Sequence, residues 1–436
     1  MMTFDEACEE VLGVFEAEWK AATDSERTER LEKEKKAIMG FVNEMDEYKS
    51  KIRRIAEEKG LGDVPCPEWY KNISEGIFHE LYGLAGLAPW VYDETDEYAV
   101  SSSAKLIGDR LYCLIGGVSV LQPQRIKKER REQLKRSLLM STPKERTEKG
   151  FHEVYLRNGI RITIFSGERT KPDQDVMVFR KYLVNSMSFE KLAELGTIPP
   201  DSPELFRLFV KTGLNVLFAG PVRSGKTTFL QIWQSYEDDE LEGAAVATDP
   251  ETDWASIMPE APIMQLVADG PQLEEITRPL MRGDNDYIIL EEMRDAAAFK
   301  TALEISSVST GRCKGTVHTG NAEELPFTMA ERIRHRYGGN TEDIMRRITD
   351  SFDLVFEMRQ DSRDRSVKKL TTITQYYTDP ADGSPACKKL MAYDAGTDKW
   401  KWHAALSDKI LKKLSAYPEE KLKICSMLER LEADSP

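Results

Sequence analysis

The chain has 436 residues, a length that suggests two or three domains, and it is 40% hydrophobic and 31% charged. Its net charge of -14 excludes a protein whose whole surface grips nucleic acid. No apolar run approaches the roughly 18–20 residues of a membrane span, and the acidic start "MMTFDEACEEVLGVF" is unlike a signal peptide. In chain order, the first expected element is a charged helix over Thr28 to Lys59. Leu31, Ile38, Phe41, Met45, Tyr48, Ile52 and Ile55 fall on heptad a and d positions, broken only by Glu34. Such a helix either packs on its own domain or serves as an arm for a partner.

Gly and Pro in "EKGLGDVPCPEW" end that helix. Strand-like runs then alternate with helical ones up to about Ser186: "RLYCLIGGVSV", "GIRITIFSG" and "DVMVFRKYLV". They read as a separate α/β domain. The run "RIKKERREQLKR" (Arg125 to Arg136) within it reads as a solvated helical face, with acidic lipid or nucleic acid as the alternative contact. The six cysteines are scattered with no C-x-x-C pair, so neither a disulfide framework nor a zinc site is expected. Reduced thiols in a cytosolic protein fit better, and the five dispersed histidines suggest no metal cluster.

"ELGTIPPDSPE" (Glu194 to Glu204) reads as a linker. Beyond it, short and fully apolar strand candidates are separated by helices: "LNVLFAG", "GAAVATD", "APIMQLV", "DYIILEE" and "CKGTVHT". Strands of this kind belong in a parallel sheet covered on both faces. After "FDLVFEMRQ" come further β-like pieces and a terminal helix over Ser407 to Glu432. The expected domains are a helical arm at 1–60, an α/β domain at 61–185, a linker at 186–200, a P-loop core at 201–375 and a β/helical extension at 376–436.

Gly220-Pro221-Val222-Arg223-Ser224-Gly225-Lys226-Thr227 fits G-x-x-x-x-G-K-[ST], between an apolar strand and a helix. The glycines let backbone N–H groups face phosphates, and the helix start adds its positive end. Lys226 is expected at the β- and γ-phosphates, and the Thr227 hydroxyl on Mg²⁺. An acid near the metal is expected from "DYIILEEMRD", where Glu291 and Glu292 end a buried strand. Adjacent carboxylates point to opposite faces, so one of the two is expected to do this work. "TKPD" (Thr170 to Asp173) precedes the loop, the wrong order for a GTPase specificity motif, and reads as a turn.

"GPVRSGKTT", then "EEMRD", then "TVHTGNA", in this order and spacing, resemble the secretion ATPase superfamily that powers type II and type IV secretion and Tad or type IV pili. Glu292 to Asp295 is similar to its Walker B ending, Thr316 to Thr319 to its histidine box, and "TDPE" (Thr248 to Glu251) to its acidic box. The stretch from "VFRKYLVNSM" to "VLFAG" is similar to the Tad and type IV secretion branch, and the likeness covers about residues 70 to 405. It implies an α/β fold: a RecA-like core with a predominantly parallel sheet, a smaller α/β N-terminal domain and a helical arm. It also implies a hexameric cytoplasmic ATPase using ATP and Mg²⁺ at the inner face of the cell membrane, docked on an inner-membrane platform protein. Gly220 to Thr228 would hold phosphate, Thr227 and Glu292 the metal. His318 would act as sensor, and Arg161 and Arg180 as arginine fingers from the N-terminal domain. Arg294 is open to a ring-interface role.

The chain departs from the family pattern at Arg223 and Glu291, each in place of a glycine, in a shortened acidic box and in a shorter segment between Thr310 and His318. These departures leave open an ATP-binding structural subunit with little turnover. A DNA-translocating ATPase is the other alternative, and only the basic run supports it.

Overall fold

The computed structural model describes residues 2–142, 151–172, 174–181, 187–248, 252–308, 311–362 and 364–435. Asp173, Asp249, Pro250, Glu251 and Thr310, on which parts of the sequence reading rest, lie outside them. The chain divides into two compact units, Met1–Leu183 and Val184–Pro436.

In the first unit, helices α1 (Phe4–Ala21) and α2 (Asp24–Ile38) each open on a reciprocal cap. The Thr3 hydroxyl accepts from the Glu6 N–H while the Glu6 carboxylate accepts from the Thr3 N–H, and Thr23 and Glu26 repeat the arrangement. The chain turns at Met39–Phe41, and α3 (Val42–Glu58) packs against α2. The single helix expected over Thr28 to Lys59 is therefore two. The heptad spacing survives the break only from Ile38 onward, because Leu31 is exposed while Ile38, Met45, Tyr48, Ile52 and Ile55 are buried in the same unit. Met45, Tyr48, Ile52 and Ile55 pack with Ala7, Val11 and the Ile77 and Phe78 of α4 (Ile73–Leu81), while Ile38 joins the core beneath the sheet.

Two short helices, α5 (Ala88–Val91) and α6 (Asp96–Ala99), lead into that sheet. Its elements are β1 (Ser103–Ile107), β2 (Arg110–Ile115), β3 (Val118–Arg125), α7 (Lys128–Met140), β4 (Phe151–Tyr155), β5 (Arg161–Phe165) and β6 (Val176–Arg180). The six strands run in the order β3-β2-β1-β6-β5-β4, and every pairing is antiparallel. Alternate residues (Ala104, Leu106, Ile162, Ile164, Met177, Phe179) meet Leu134 and Leu138 of α7.

The basic run is a solvated face only in part: Arg125, Lys127, Lys128 and Arg136 are exposed, but two arginines of α7 are not. Arg130 and Arg131 are buried. Arg130 Nη2 donates to the carbonyls of His79 (3.0 Å) and Gly83 (2.5 Å), capping the C-terminal end of α4, and Arg131 Nη1 donates to the Ile126 carbonyl. Lys127 pairs with Asp5 and Lys135 with Asp175. A guanidinium can be buried when its donors find carbonyls, which a charge pattern does not reveal.

The second unit contains α8 (Phe189–Glu194), α9 (Pro203–Lys211), β7 (Val216–Ala219), α10 (Lys226–Gln234), β8 (Gly243–Ala247), α11 (Trp254–Ile257), β9 (Ile263–Val267), α12 (Gly270–Arg282), β10 (Tyr287–Met293), α13 (Ala296–Val308), β11 (Cys313–Val317), α14 (Leu325–Tyr337) and α15 (Thr341–Ser351). It ends with β12 (Leu354–Gln360), β13 (Lys368–Thr378), β14 (Pro385–Asp394), β15 (Lys399–Trp402), α16 (Asp408–Leu414) and α17 (Pro418–Asp434). The terminal helix expected over Ser407 to Glu432 is thus two helices, interrupted ahead of Pro418, whose ring suits a helix start.

The nine strands lie in the order β15-β14-β13-β12-β7-β11-β10-β8-β9. From β12 to β9 every pairing is parallel, and from β12 outward through β15 every pairing is antiparallel. Along β7, Val216 and Phe218 enter one core with α9, α10, α16 and α17, while Leu217 and Ala219 enter the other with α12 to α15. A strand buried on both faces must be apolar at every position, which explains the unbroken run "VLFA". Phe218, Phe229, Trp233 and Phe356 interlock at centroid separations of 5.1–5.7 Å and fix α10 on β7. Among the described residues no helix is long and apolar enough to cross a membrane.

Candidate nucleotide site

Register brings the motifs together. Ala219 of β7 pairs with Val317 of β11, and Val317 pairs with Met293 of β10. The residues that follow or flank these positions, Gly220, His318 and Glu292, therefore reach the same C-terminal edge of the sheet, where ligands of open α/β sheets bind.

The loop after β7 is shaped for an anion. A side chain at Gly220 would place its Cβ 2.2 Å from the Met358 carbonyl oxygen and 2.7 Å from Ser224 Oγ, so only glycine fits. Gly225 takes φ +95 and leads into α10, whose first-turn N–H groups have no partner within the helix. Ser224 Oγ is buried without a hydrogen-bond partner among the described residues. A cradle closed to side chains, with an orphaned hydroxyl inside, fits a bound phosphate chain. Thr227 is the second residue of α10, and a hydroxyl there suits a Mg²⁺ ligand. Arg223 has φ +65 and an exposed side chain, so an arginine occupies a left-handed position that glycine would take without strain. Lys368, at the start of β13, lays its stem about 3.7 Å from where a Cβ on Gly225 would stand. Burial, then the neighbouring Arg223, lowers its ammonium from the ordinary value.

The acid comes from a bulge in β10. Leu290 pairs with Gly315 and Met293 with Val317, so two residues face one across the ladder. Glu292 takes φ +55 there, and its N–H donates to Thr316 Oγ1 at 2.9 Å. Its carboxylate meets His318 Nε2 at 2.9 Å and Arg294 Nη2 at 2.5 Å. On the other side of the ring, His318 Nδ1 lies 3.4 Å from Lys226 Nζ, which also donates to the Pro221 carbonyl at 2.8 Å. An ammonium can only donate, so Nδ1 accepts and Nε2–H donates to Glu292. Burial pushes the Glu292 carboxyl up, but donation from His318 and Arg294 outweighs it and holds the group at about 2.

Glu291 faces away from this line. Its Oε1 accepts from Trp254 Nε1 at 2.7 Å and its Oε2 from Thr252 Oγ1 at 3.1 Å. The two adjacent acids thus diverge. Lys226, His318 and Glu292 come together beside Gly220 to Thr228. Arg161 and Arg180 lie in the first unit and are direct cross-strand partners on β5 and β6. The sequence placed Thr316 in the histidine box without giving it a role, and left Thr252 and Trp254 unremarked. A hydroxyl one register position from the bulge is the only signal that would have found the first.

No curated protein sequence matches the chain. Many solved structures resemble it weakly, three ATPases or motors among them. The VirB11 ATPase of the Brucella suis type IV secretion system is 17% identical, with 66% of this chain and 91% of that chain covered and a TM-score of 0.35. For the pilus retraction motor PilT with bound ADP the values are 16%, 78%, 90% and 0.48. For the Legionella pneumophila ATPase DotB they are 14%, 80%, 88% and 0.45. Residues 170–355 match the family described as type II/IV secretion system protein. That stretch, which holds the glycine loop after β7, the β10 acid and the β11 histidine, is what the chain shares with the type II/IV secretion system protein family.

Proposed function

We propose that the chain is a RecA-like ATPase that hydrolyses ATP as a hexameric ring. It works in the cytoplasm at the inner face of the cell membrane, docked on an inner-membrane platform protein of a type II or type IV secretion or Tad-type pilus machine. The observation that carries the reading is the line Lys226–His318–Glu292 across the ends of three in-register strands, beside a loop closed to side chains at Gly220 and holding the orphaned Ser224 hydroxyl. Gly220 to Thr228 hold the phosphates. Lys226 leaves the Pro221 carbonyl to neutralise phosphate charge. Thr227 and Glu292 hold Mg²⁺, which supplies charge neutralisation on the phosphate oxygens when bound.

Glu292 orients the attacking water. A carboxylate held at about 2 accepts hydrogen bonds from water but takes its proton poorly, so Glu292 orients and polarises the water. His318, touching both Lys226 and Glu292, reports a change at either. We assign Arg161 and Arg180 as arginine fingers on the strength of their pairing on adjacent strands and their match to the family pattern. Phosphate release by the purified chain with Mg²⁺ tests the proposal. Glu292→Gln should keep ATP binding and lower turnover about 100- to 1,000-fold. Wild-type protein that releases no phosphate at high concentration would overturn it.

A further inference from the structure

Glu291 stands where the bulge of β10 begins, and its surroundings are more specific than those of a spare acid. Trp254 is fully buried and Thr252 nearly so. Each donates to a different oxygen of the Glu291 carboxylate. Thr252 Oγ1 in turn accepts from Gln231 Nε2 of α10 at 3.2 Å, and the Thr252 carbonyl accepts from Gln265 Nε2 of β9 at 2.7 Å. One carboxylate therefore ties β10 to the helix that begins with Lys226 and to the segment ahead of α11.

The next residue, Glu292, sits at φ +55, a conformation that strains a non-glycine residue and persists only where neighbours hold it. Two things hold it: the Thr316 hydroxyl on its own N–H, and the anchored side chain just before it. A glycine at 291 supplies no such anchor.

We propose that Glu291 is a positioning residue. Gripped by Trp254 and Thr252, it fixes the bulge so that Glu292 faces His318, whose ring in turn meets Lys226. This rests on the ATPase reading for its consequence, but not for its geometry. An acid with both oxygens engaged in this way is not the one that polarises water, so Glu291 and Glu292 divide the work of holding and acting.

The test follows the His318 ring signals by NMR in wild type, Glu291→Ala, Glu291→Gln, Thr252→Val and Glu292→Gln. Glu292→Gln defines the position of a histidine without its carboxylate partner. Glu291→Ala should move the His318 signals toward that position, Thr252→Val should move them part of the way, and Glu291→Gln, which can still accept from Trp254, should stay near wild type. His318 signals unchanged in both Glu291→Ala and Thr252→Val overturn the inference. Thr252→Val keeps the shape of the site, so it decides the matter even where Glu291→Ala folds poorly.

The ring signals need no turnover, so a protein that proves inert toward ATP fails the functional proposal without touching this one. In a protein that does turn over, Glu291→Ala should lower kcat about 10- to 100-fold with KM for ATP within about twofold, because a small misplacement of the acid acts on chemistry and not on binding. Recovery in Glu291→Gln supports positioning, and an equal loss in both variants overturns it.

Discussion

Arg223 and Glu292 share an unusual backbone: both are non-glycine residues at positive φ, and both stand beside the phosphate loop. Glycine would relieve the left-handed strain at 223 but would add freedom to the unfolded chain, and the two effects nearly cancel. Arg223→Gly should therefore leave the unfolding free energy within about 1 kcal/mol of wild type. Its effect should appear in binding. The substitution removes a cation from the mouth of the loop, where Lys368 already feels it. Calorimetric titration should show ATP bound a few-fold more weakly at low salt, with the difference fading at about 0.5 M salt as exposed charges are screened. Unchanged affinity at low salt would mean that the guanidinium turns wholly away. At this scale the tight turn after β7 is legible from spacing alone, because the close approach of the Met358 carbonyl at Gly220 admits no side chain. The bulge is not legible: nothing in "ILEEM" marks Glu292 as left-handed, and only the pairing of β10 with β11 reveals it.

Helix α2 carries the one break in the heptad pattern, and the structure gives that break an energetic meaning. Glu34 lines a cleft of about 400 Å³ together with Phe15, Trp19, Tyr48 and Tyr82. Burial raises its carboxyl above the ordinary value, and Arg30 offsets only part of this. A carboxyl whose folded value is raised binds its proton more tightly in the native state. The protein therefore pays a penalty above that raised value, and the penalty disappears as the pH falls through it. Glu34→Leu should remove the penalty and add apolar contact with the aromatic wall, stabilising the unit by about 1 kcal/mol at pH 7. Thermal melts should rise by about 2–4 °C at neutral pH, and by less at pH 4. A gain equal at both values would show that packing alone is responsible. Helix faces and strand alternation were readable at this scale because burial imposes their periods. Buried charges were not. Lys314 lies in "CKGTVHT" with a fully buried side chain, its ammonium 2.7 Å from the carboxylate of Glu237 and over the ring of Tyr287 at 4.5 Å. Asp353 is held by Lys409 and Lys413 of α16. Such groups survive burial through partners distant in sequence, so the local pattern carries no sign of them.

For the whole molecule, the decisive point is where the cores close. Both cores that sandwich the nine-stranded sheet are built entirely from residues of the second unit, including Phe189 and Ile198 at its start and Leu431 near its end. The antiparallel strands β13 to β15 extend the same sheet, and α16 and α17 cover the face that α9 and α10 leave open. Among the described residues, neither core includes one from the first unit. The phosphate loop, Glu292 and His318 all lie in this unit, whereas Arg161 and Arg180 lie in the other. Binding and turnover should therefore separate. A fragment spanning 187–436 should fold cooperatively and bind a non-hydrolysable ATP analogue within about threefold of the full chain, since the phosphate cradle is intact and binding free energies within 0.7 kcal/mol are indistinguishable at this level. Its phosphate release should fall about 1,000-fold, the order of magnitude an arginine finger contributes in other phosphoryl-transfer systems. Arg180→Ala in the full chain should reproduce most of that loss while leaving analogue binding unchanged. A fragment that hydrolyses ATP at the full chain's rate would remove Arg161 and Arg180 from the chemistry and leave the second unit as the complete enzyme.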